Sequence, residues 1–374
     1  MRTVGAVLDK SKGFGQGFDF LRVFLALCIV AYHAWNVADA TKSQQNSVLW
    51  IAEYTLVPMF FALSGFLVAG SAIRLSLSNF LANRGLRIVP ALAVEIFISA
   101  LVIGPLVTTL TLSEYFSDPK TYHYFTNIIG IINYHLPGVF ENHPDNRVNG
   151  ALWTVPYEIG CYVFISGLIL TGSLRRPKVV AALAFGLLGL GVFAEYSGVM
   201  NNAPHMLRRA IEFLVLGHKS RLLPSFLLGV LAFQIKDRIP YNKILLGACI
   251  ASVVVIAFVF DFSEMQHTIL RIFALPVLTY ITVYIGVTKI PAIPLYSKGD
   301  YSYGIYLYHM PMEQLVYMIF PKSGLVIFLL TVPAITLFAM FSWHCIEKPI
   351  LRLRKHFSFV APQRGVVAEE SKAS

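Results

Sequence analysis

Long apolar segments, separated by short polar ones, run along almost the whole chain. About ten of them come close to the ~20 residues that an α-helix needs to cross a bilayer. They lie near 20–38, 49–70, 88–110, 151–171, 179–198, 218–235, 244–261, 268–287, 303–320 and 325–345. The sixth is the least regular, because the polar residues HKSR (218–221) interrupt two short apolar runs; we place HKSR at the outer surface and 210–217 in the interface. The pattern predicts an all-α, polytopic transmembrane helix bundle.

Composition and charge agree with this prediction and orient the bundle. The 374 residues are 56% hydrophobic and 13% charged, with a mean hydropathy of +0.65, which is typical of a polytopic membrane protein. With the N-terminus inside, the inner loops and the C-terminal tail hold 17 lysines and arginines against 8 outside, so both termini are expected in the cytoplasm. We therefore interpret the net charge of +10 as a topology signal and expect no nucleic-acid partner.

The polar segments suggest one membrane domain with little attached to it. Residues 1–17 are predicted to be a cytoplasmic N-terminal segment, 18–350 the transmembrane domain, and 351–374 a basic, then polar, disordered tail. No cleavage site follows the first apolar run, so the first helix is expected to be its own insertion signal.

Neither the cysteines nor the longest outer loop indicates a metal site or a disulfide. All four cysteines fall in apolar segments without shared spacing, as buried thiols do: Cys28, Cys161, Cys249 and Cys345. The loop from Leu112 to Gly150 is rich in Tyr, His and Asn, but its spacing fits none of the usual metal-ligand patterns. We expect an exposed polar loop whose composition suits contacts with sugar hydroxyls.

The first apolar segment carries the strongest chemical signal, Arg22 and His33. Eleven helical positions bring a residue back to within about 20° of the first and roughly 16 Å along the axis. Both side chains therefore share one face, with Arg22 at the membrane surface and His33 well inside. Titratable groups at that depth usually face a bundle interior or a water-filled cavity. The alternative is a snorkelling arginine and a histidine bonded to a neighbouring helix.

Two further groups lie near the predicted inner surface. Ser64 and Gly65 are small residues, which favour close helix packing and also allow a ligand to approach. Arg84 and Arg87 lie at positions i and i+3 just before the third segment, and two guanidinium forks on one helix face would suit a phosphate. The alternative for the arginines is positive-inside topology alone.

Carboxylates and another histidine are embedded in later segments. Glu158 lies within the fourth span and Glu95 within the third, where a carboxylate is costly unless it is paired or protonated. His309 lies in the ninth segment, and Glu347 at the inner end of the tenth. Position alone does not separate a structural partner from a catalytic group.

These motifs, taken in order, resemble the acyltransferase 3 family of integral membrane acyltransferases. The resemblance covers roughly residues 15–355 and rests on Arg22-x10-His33, FFALSGFLV, the R-x-x-R of Arg84 and Arg87, LWTVPYE, YSYGIYLYHMP and IEKP. It implies transfer of an acyl group, expected to be acetyl, from cytoplasmic acyl-CoA to a hydroxyl of an extracytoplasmic carbohydrate such as exopolysaccharide, O-antigen or lipo-oligosaccharide. It also implies a bacterial cytoplasmic (inner) membrane location and no bound cofactor or metal, with acetyl-CoA as co-substrate.

The resemblance also implies roles for the candidate residues. His33 would be the general base or an acyl carrier, with Arg22 as its family partner and Glu158 orienting its ring, as a triad carboxylate does. Arg84 and Arg87, with Ser64 and Gly65, are expected to bind the donor. Acceptor binding is assigned to three residues of the later motifs: Trp153, Tyr157 and His309. The alternative function is a proton-coupled secondary transporter or flippase, although no inverted repeat is visible.

Overall fold

The computed structural model describes residues 2–11, 13, 15–39, 47–198, 203–215, 218–260, 268–321 and 323–357. Within these ranges the chain is helical and forms no β-strand, only an isolated bridge between Thr3 and Pro240. The principal helices are α1 (Val4–Lys10), α2 (Gly17–Ala38), α3 (Ser47–Arg74), α4 (Leu77–Ile98), α5 (Val155–Leu170), α6 (Pro177–Tyr196), α7 (His205–Leu214), α8 (Leu222–Gln234), α9 (Lys243–Val259), α10 (Thr268–Val287), α11 (Ser302–Ile319), α12 (Gly324–Phe341) and α13 (Lys348–Phe357).

The helical architecture confirms the predicted all-α membrane class. Among the described residues, 7 helical segments are long and apolar enough to cross a bilayer: Gly17–Ala38, Trp50–Arg74, Leu77–Val107, Gly150–Leu170, Pro177–Tyr196, Leu270–Val287 and Gly324–Leu353. Helices α8, α9 and α11 occupy the other three predicted positions. The count of ten spans and the cytoplasmic location of both termini stay predictions.

Helix α4 begins earlier than the apolar pattern suggested. We expected the third span to start near 88, but Ser76 caps a helix that starts at Leu77, its hydroxyl accepting from the amide of Asn79 at 3.4 Å. The apolar pattern missed this first half because it is polar on one face. Arg84 and Arg87 therefore lie within the helix and not before it.

The HKSR segment forms a 3-10 turn, His218–Arg221, in which Ser220 and Arg221 are buried by protein. Its location at the outer membrane surface stays a prediction. The Arg221 guanidinium donates to the backbone carbonyl of Glu53 at 2.7 Å and stacks on the Tyr54 ring at 4.9 Å. These contacts offset part of the cost of burying the charge, while the Nε and Nη1 of Arg221 have no hydrogen-bond partner among the described residues.

Helices α3 and α8 cross at two glycines. A Cβ on Gly65 would lie 2.0 Å from the carbonyl oxygen of Phe226, and one on Gly229 would lie 2.0 Å from that of Ala62. No larger residue fits at either position without moving a backbone. Gly65 therefore serves close helix packing, the first of the two roles that its size suggested.

A described helix lies near each end of the chain. The 1–17 segment contains α1, whose Val4 and Leu8 are buried against the rest of the protein. Helix α13 includes the first residues of the predicted disordered tail, and 358–374 lie outside the described residues.

The cysteines are free thiols, but only Cys161 is fully buried and Cys345 is exposed, so the expectation that all four are buried was wrong.

Candidate active site

Two cavities lie along the side of α2 that carries Arg22 and His33. The large cavity has a volume of about 390 Å³ and is lined by Arg22, while the small cavity, about 120 Å³, is lined by His33. Val57 and Tyr306 line both, so the two spaces adjoin at these side chains. The helix face predicted from the spacing therefore borders the large cavity at Arg22 and the small cavity at His33.

An ion-pair network lines part of the large cavity through Arg22, Arg87 and Asp300. Asp300, just before α11, accepts from Arg22 at 3.2 Å and from Arg87 at 2.7 Å. Arg87 also binds Glu347 at 3.0 Å. Burial raises the pKa of Asp300, but the charges of Arg87 and Arg22 and the hydroxyl of Ser302 outweigh burial and hold it below the usual value. Arg87 is therefore committed to carboxylates of the protein itself.

Arg84 is in a different position from Arg87, although both line the large cavity. Among the described residues Arg84 makes no hydrogen bond or ion pair, and its Nε is buried without a partner. Glu158 also lines this cavity and accepts a hydrogen bond from Tyr162 at 2.7 Å, and its charge interacts with that of Arg84. Ser64 lines the same space, whereas Gly65 does not. Arg84 is thus the arginine that remains available to an anion.

His33 is paired with another histidine and not with Glu158. Its Nδ1 lies 2.7 Å from Nε2 of His309, and the ring centroids are 4.9 Å apart. The Nδ1 of His309 lies 2.6 Å from the carbonyl oxygen of Tyr306, one turn back in α11. Glu313, one turn further on, places a carboxylate oxygen within 4.8 Å of these imidazole nitrogens. In the described part of the chain, Glu158 therefore contacts neither His33 nor Arg22, the two partners expected for it.

The small cavity has a polar and aromatic lining that the outer loop completes. Arg147 lines it and is held by Asp145, with contacts of 2.7 Å and 2.5 Å that raise the pKa of the guanidinium. Gln314 of α11 fixes this turn by donating to the carbonyl oxygens of Asp145 (2.5 Å) and Arg147 (2.8 Å). The helix that carries His309 thus also positions the loop over His33.

The three residues expected to bind an acceptor lie at different places. Trp153 lines the small cavity, with the Lys219 ammonium 5.4 Å from its ring. Tyr157 packs edge-on against Trp153 at 6.0 Å and lines neither cavity. His309 is fully buried, lies against His33 and also lines neither cavity.

Sequence reasoning missed several groups that complete the site. Asp300 lies in a short polar turn, KGDYS, that carries no hydrophobic signal. Glu313 did have a usable signal, since it is a charged residue within a predicted span, one helical turn from His309. Glu53 had the same signal, since it lies within the predicted second span; it lines the small cavity, and its carboxylate accepts from Tyr32 at 2.6 Å.

Fold and site together define an integral membrane protein in which a half-buried histidine, paired with a fully buried one, lies beside two adjoining cavities. The model of the acyltransferase 3 family, described as an acyltransferase domain, matches residues 16–344, and the chain belongs to this family of membrane acyltransferases. This membership confirms the family that the motifs suggested.

Two curated proteins are similar over nearly their whole length. Nodulation protein 10 of Rhizobium leguminosarum bv. viciae is 28% identical over 370 residues, which cover 94% of this chain and 97% of that protein. The O-acetyl transferase of Shigella phage Sf6 is 26% identical over 352 residues, which cover 89% of this chain and 95% of that protein. No solved structure matches the chain at a significant level. The family match makes the chain a membrane acyltransferase, and the names of these relatives lend no support to the transporter alternative.

Proposed function

We propose that this protein transfers an acetyl group from cytoplasmic acetyl-CoA to a hydroxyl of an extracytoplasmic carbohydrate. The observation that carries the proposal is the pair of adjoining cavities, one with a free arginine and the other with His33. A donor and an acceptor entering from opposite sides would meet at Val57 and Tyr306, where the cavities adjoin.

The large cavity suits the donor. Arg84 offers an unpaired guanidinium to a phosphate, and the walls beyond it are mainly apolar, with Phe60, Phe61 and Leu67 among them. A coenzyme A phosphate at Arg84 would leave the slender pantetheine arm along these apolar walls. The loop-charge bias supports a cytoplasmic location for this end, where acyl-CoA is made.

The small cavity suits a hydroxylated acceptor. It combines an aromatic face, Trp153, with hydrogen-bonding groups on Glu53, Asn36 and Arg147. Aromatic rings and a few convergent polar groups are what a sugar ring requires of its binding site. Arg147 is balanced by Asp145, and Glu53 supplies a charge opposite to that of Lys219. This balance favours a neutral sugar over a polyanion.

The chemistry follows from the position of His33. Because His33 lines the small cavity and not the large one, it is placed to act on the acceptor. We therefore favour the general-base route over an acyl-histidine: His33 removes the hydroxyl proton, the oxygen attacks the thioester carbonyl, and the C–S bond breaks to release the CoA thiolate. A positioned general base contributes about 10²–10⁴-fold to such a step.

Two measurements test the proposal. Inside-out membrane vesicles containing the protein, loaded in the lumen with glycan from a strain that lacks the gene and supplied outside with radiolabelled acetyl-CoA, should move label onto the glycan. Mass spectrometry of surface glycans from cells with and without the gene should show the acetyl group and its sugar. Label that enters the vesicles without forming a covalent product would contradict the proposal and indicate a carrier.

A further inference from the structure

The hydrogen bonds of the histidine pair determine where its protons lie. A carbonyl oxygen only accepts, so the contact of 2.6 Å from His309 Nδ1 to the Tyr306 carbonyl requires a proton on that nitrogen. In a neutral ring, His309 Nε2 is then an acceptor. The His33 Nδ1 at 2.7 Å must therefore donate to it. This leaves Nε2 as the ring nitrogen of His33 with a free lone pair.

We propose that His309 is a positioning residue that holds His33 as its Nδ1–H tautomer, and that Glu313 supplies the counter-charge for the His33 imidazolium formed during transfer. The inference rests on the proposed function, and it names the groups that prepare the base. In a Ser-His-Asp triad a carboxylate fixes the histidine tautomer. Here the imidazole of His309 fixes the tautomer of His33, and the backbone carbonyl of Tyr306 fixes the tautomer of His309.

Glu313 is otherwise unexplained. Its side chain is 0% exposed, and neither carboxylate oxygen has a hydrogen-bond partner among the described residues. A buried carboxylate without partners is destabilising, and one of its oxygens lies within 4.8 Å of one ring nitrogen of each histidine. When His33 Nε2 takes the acceptor proton, the new positive charge arises next to this carboxylate. The protons balance: one leaves the hydroxyl, rests on His33, and departs with the CoA thiolate or to water.

The same three side chains form a donor set that a divalent metal could use. However, two imidazole nitrogens bound to one tetrahedral zinc ion lie about 3.3 Å apart, given Zn–N distances of about 2.0–2.1 Å. The observed separation of 2.7 Å is that of a hydrogen bond. The geometry thus favours proton positioning over metal binding.

The test combines the state of the ring with turnover, in lipid nanodiscs with ¹⁵N-histidine labelling. In the wild type, ¹⁵N NMR should show the Nδ1–H tautomer for both His33 and His309. His309→Leu should mix the tautomers of His33 and lower kcat about 10²-fold without changing KM for acetyl-CoA. His309→Gln, whose amide oxygen can still accept from Nδ1, should keep the tautomer and recover much of the rate. Glu313→Gln should lower kcat while the tautomer of His33 is unchanged.

The controls separate this inference from the proposed function. His205→Leu, at an exposed histidine of α7, should behave as the wild type in both measurements. An Nε2–H tautomer for His33, a normal kcat in His309→Leu, or loss of turnover on chelation of metal would overturn the inference while acetyl transfer by the wild type stands. A normal kcat in Glu313→Gln would overturn the counter-charge role. Absence of any transfer by the wild type would overturn the proposed function, and this role with it.

Discussion

Replacing Arg87 by alanine should destabilise the fold more than it weakens donor binding. The Arg87 side chain is 20% exposed and pairs with Glu347, which is 2% exposed. Asp300 would keep Arg22 at 3.2 Å, so Glu347 is the carboxylate left without a cation. Removing one partner of a buried ion pair costs about 3–5 kcal/mol. We expect this loss in the free energy of unfolding, seen as a clearly lower melting temperature by intrinsic tryptophan fluorescence in detergent.

Two further variants make this prediction specific. Glu347→Gln in the Arg87→Ala background should restore most of the stability, because it removes the unpaired charge. Arg84→Ala should leave the melting temperature near that of the wild type, since it breaks no ion pair within the described residues. Its expected effect is a KM for acetyl-CoA raised about 10- to 100-fold, the equivalent of one charged hydrogen bond of about 1.5–3 kcal/mol.

The matched control is Arg176→Ala, at an exposed arginine just before α6, which should change neither quantity. The reasoning would be refuted if Arg87→Ala melted normally and raised KM as much as Arg84→Ala. In that case both arginines would bind the donor, and the Asp300–Glu347 network would not hold Arg87 during turnover.

Three other changes test separate parts of the account. Glu158→Gln keeps the acceptor for Tyr162 but removes a negative charge beside Arg84, so KM for acetyl-CoA should fall with kcat retained; a large drop in kcat alone would instead support the predicted role in orienting His33. Asp300→Asn should lower the melting temperature at neutral pH. Because the folded-state pKa of Asp300 is lowered, its contribution is present above the unfolded value of about 3.9 and disappears as pH falls through the folded-state pKa. The difference in melting temperature between Asp300→Asn and the wild type should therefore stay constant from about pH 5 to 8 and disappear only below about pH 4. A difference that already decreases near neutral pH would contradict the proposed ion pairs of Asp300. In a cysteine-free background, Ser117→Cys should react with an impermeant thiol reagent on intact cells and Ser371→Cys only after lysis, and the reverse pattern would overturn the orientation.

The apolar pattern predicted the helical class because burial in a bilayer imposes length and hydrophobicity on each span. It placed the third span too late, since the first half of α4 is polar on one face. It also could not rank Arg84 against Arg87. Residues at i and i+3 differ by about 60° around a helix, and this rotation sends Arg87 to the Asp300 network and leaves Arg84 beside Glu158.

The partner of His33 was beyond the reach of the pattern for a different reason. His309 is 276 positions away in the chain, and hydrophobic periodicity shows which face of a helix is buried but not which helix covers it. Glu158 was the nearest conspicuous carboxylate by motif, and it was assigned to His33 on that basis. The order of helices in the bundle decides the pairing, and it places α11 against α2.

The central claim is that His33 acts as the base in acetyl transfer, and one measurement tests it most directly. Wild-type protein, His33→Ala and the control His205→Ala should each be supplied with radiolabelled acetyl-CoA and with surface glycan from a strain lacking the gene, at equal amounts of folded protein. We predict label on the glycan with the wild type and the control, and a rate lower by about 10²–10⁴-fold with His33→Ala. A His33→Ala rate within a few-fold of the wild type would contradict the account.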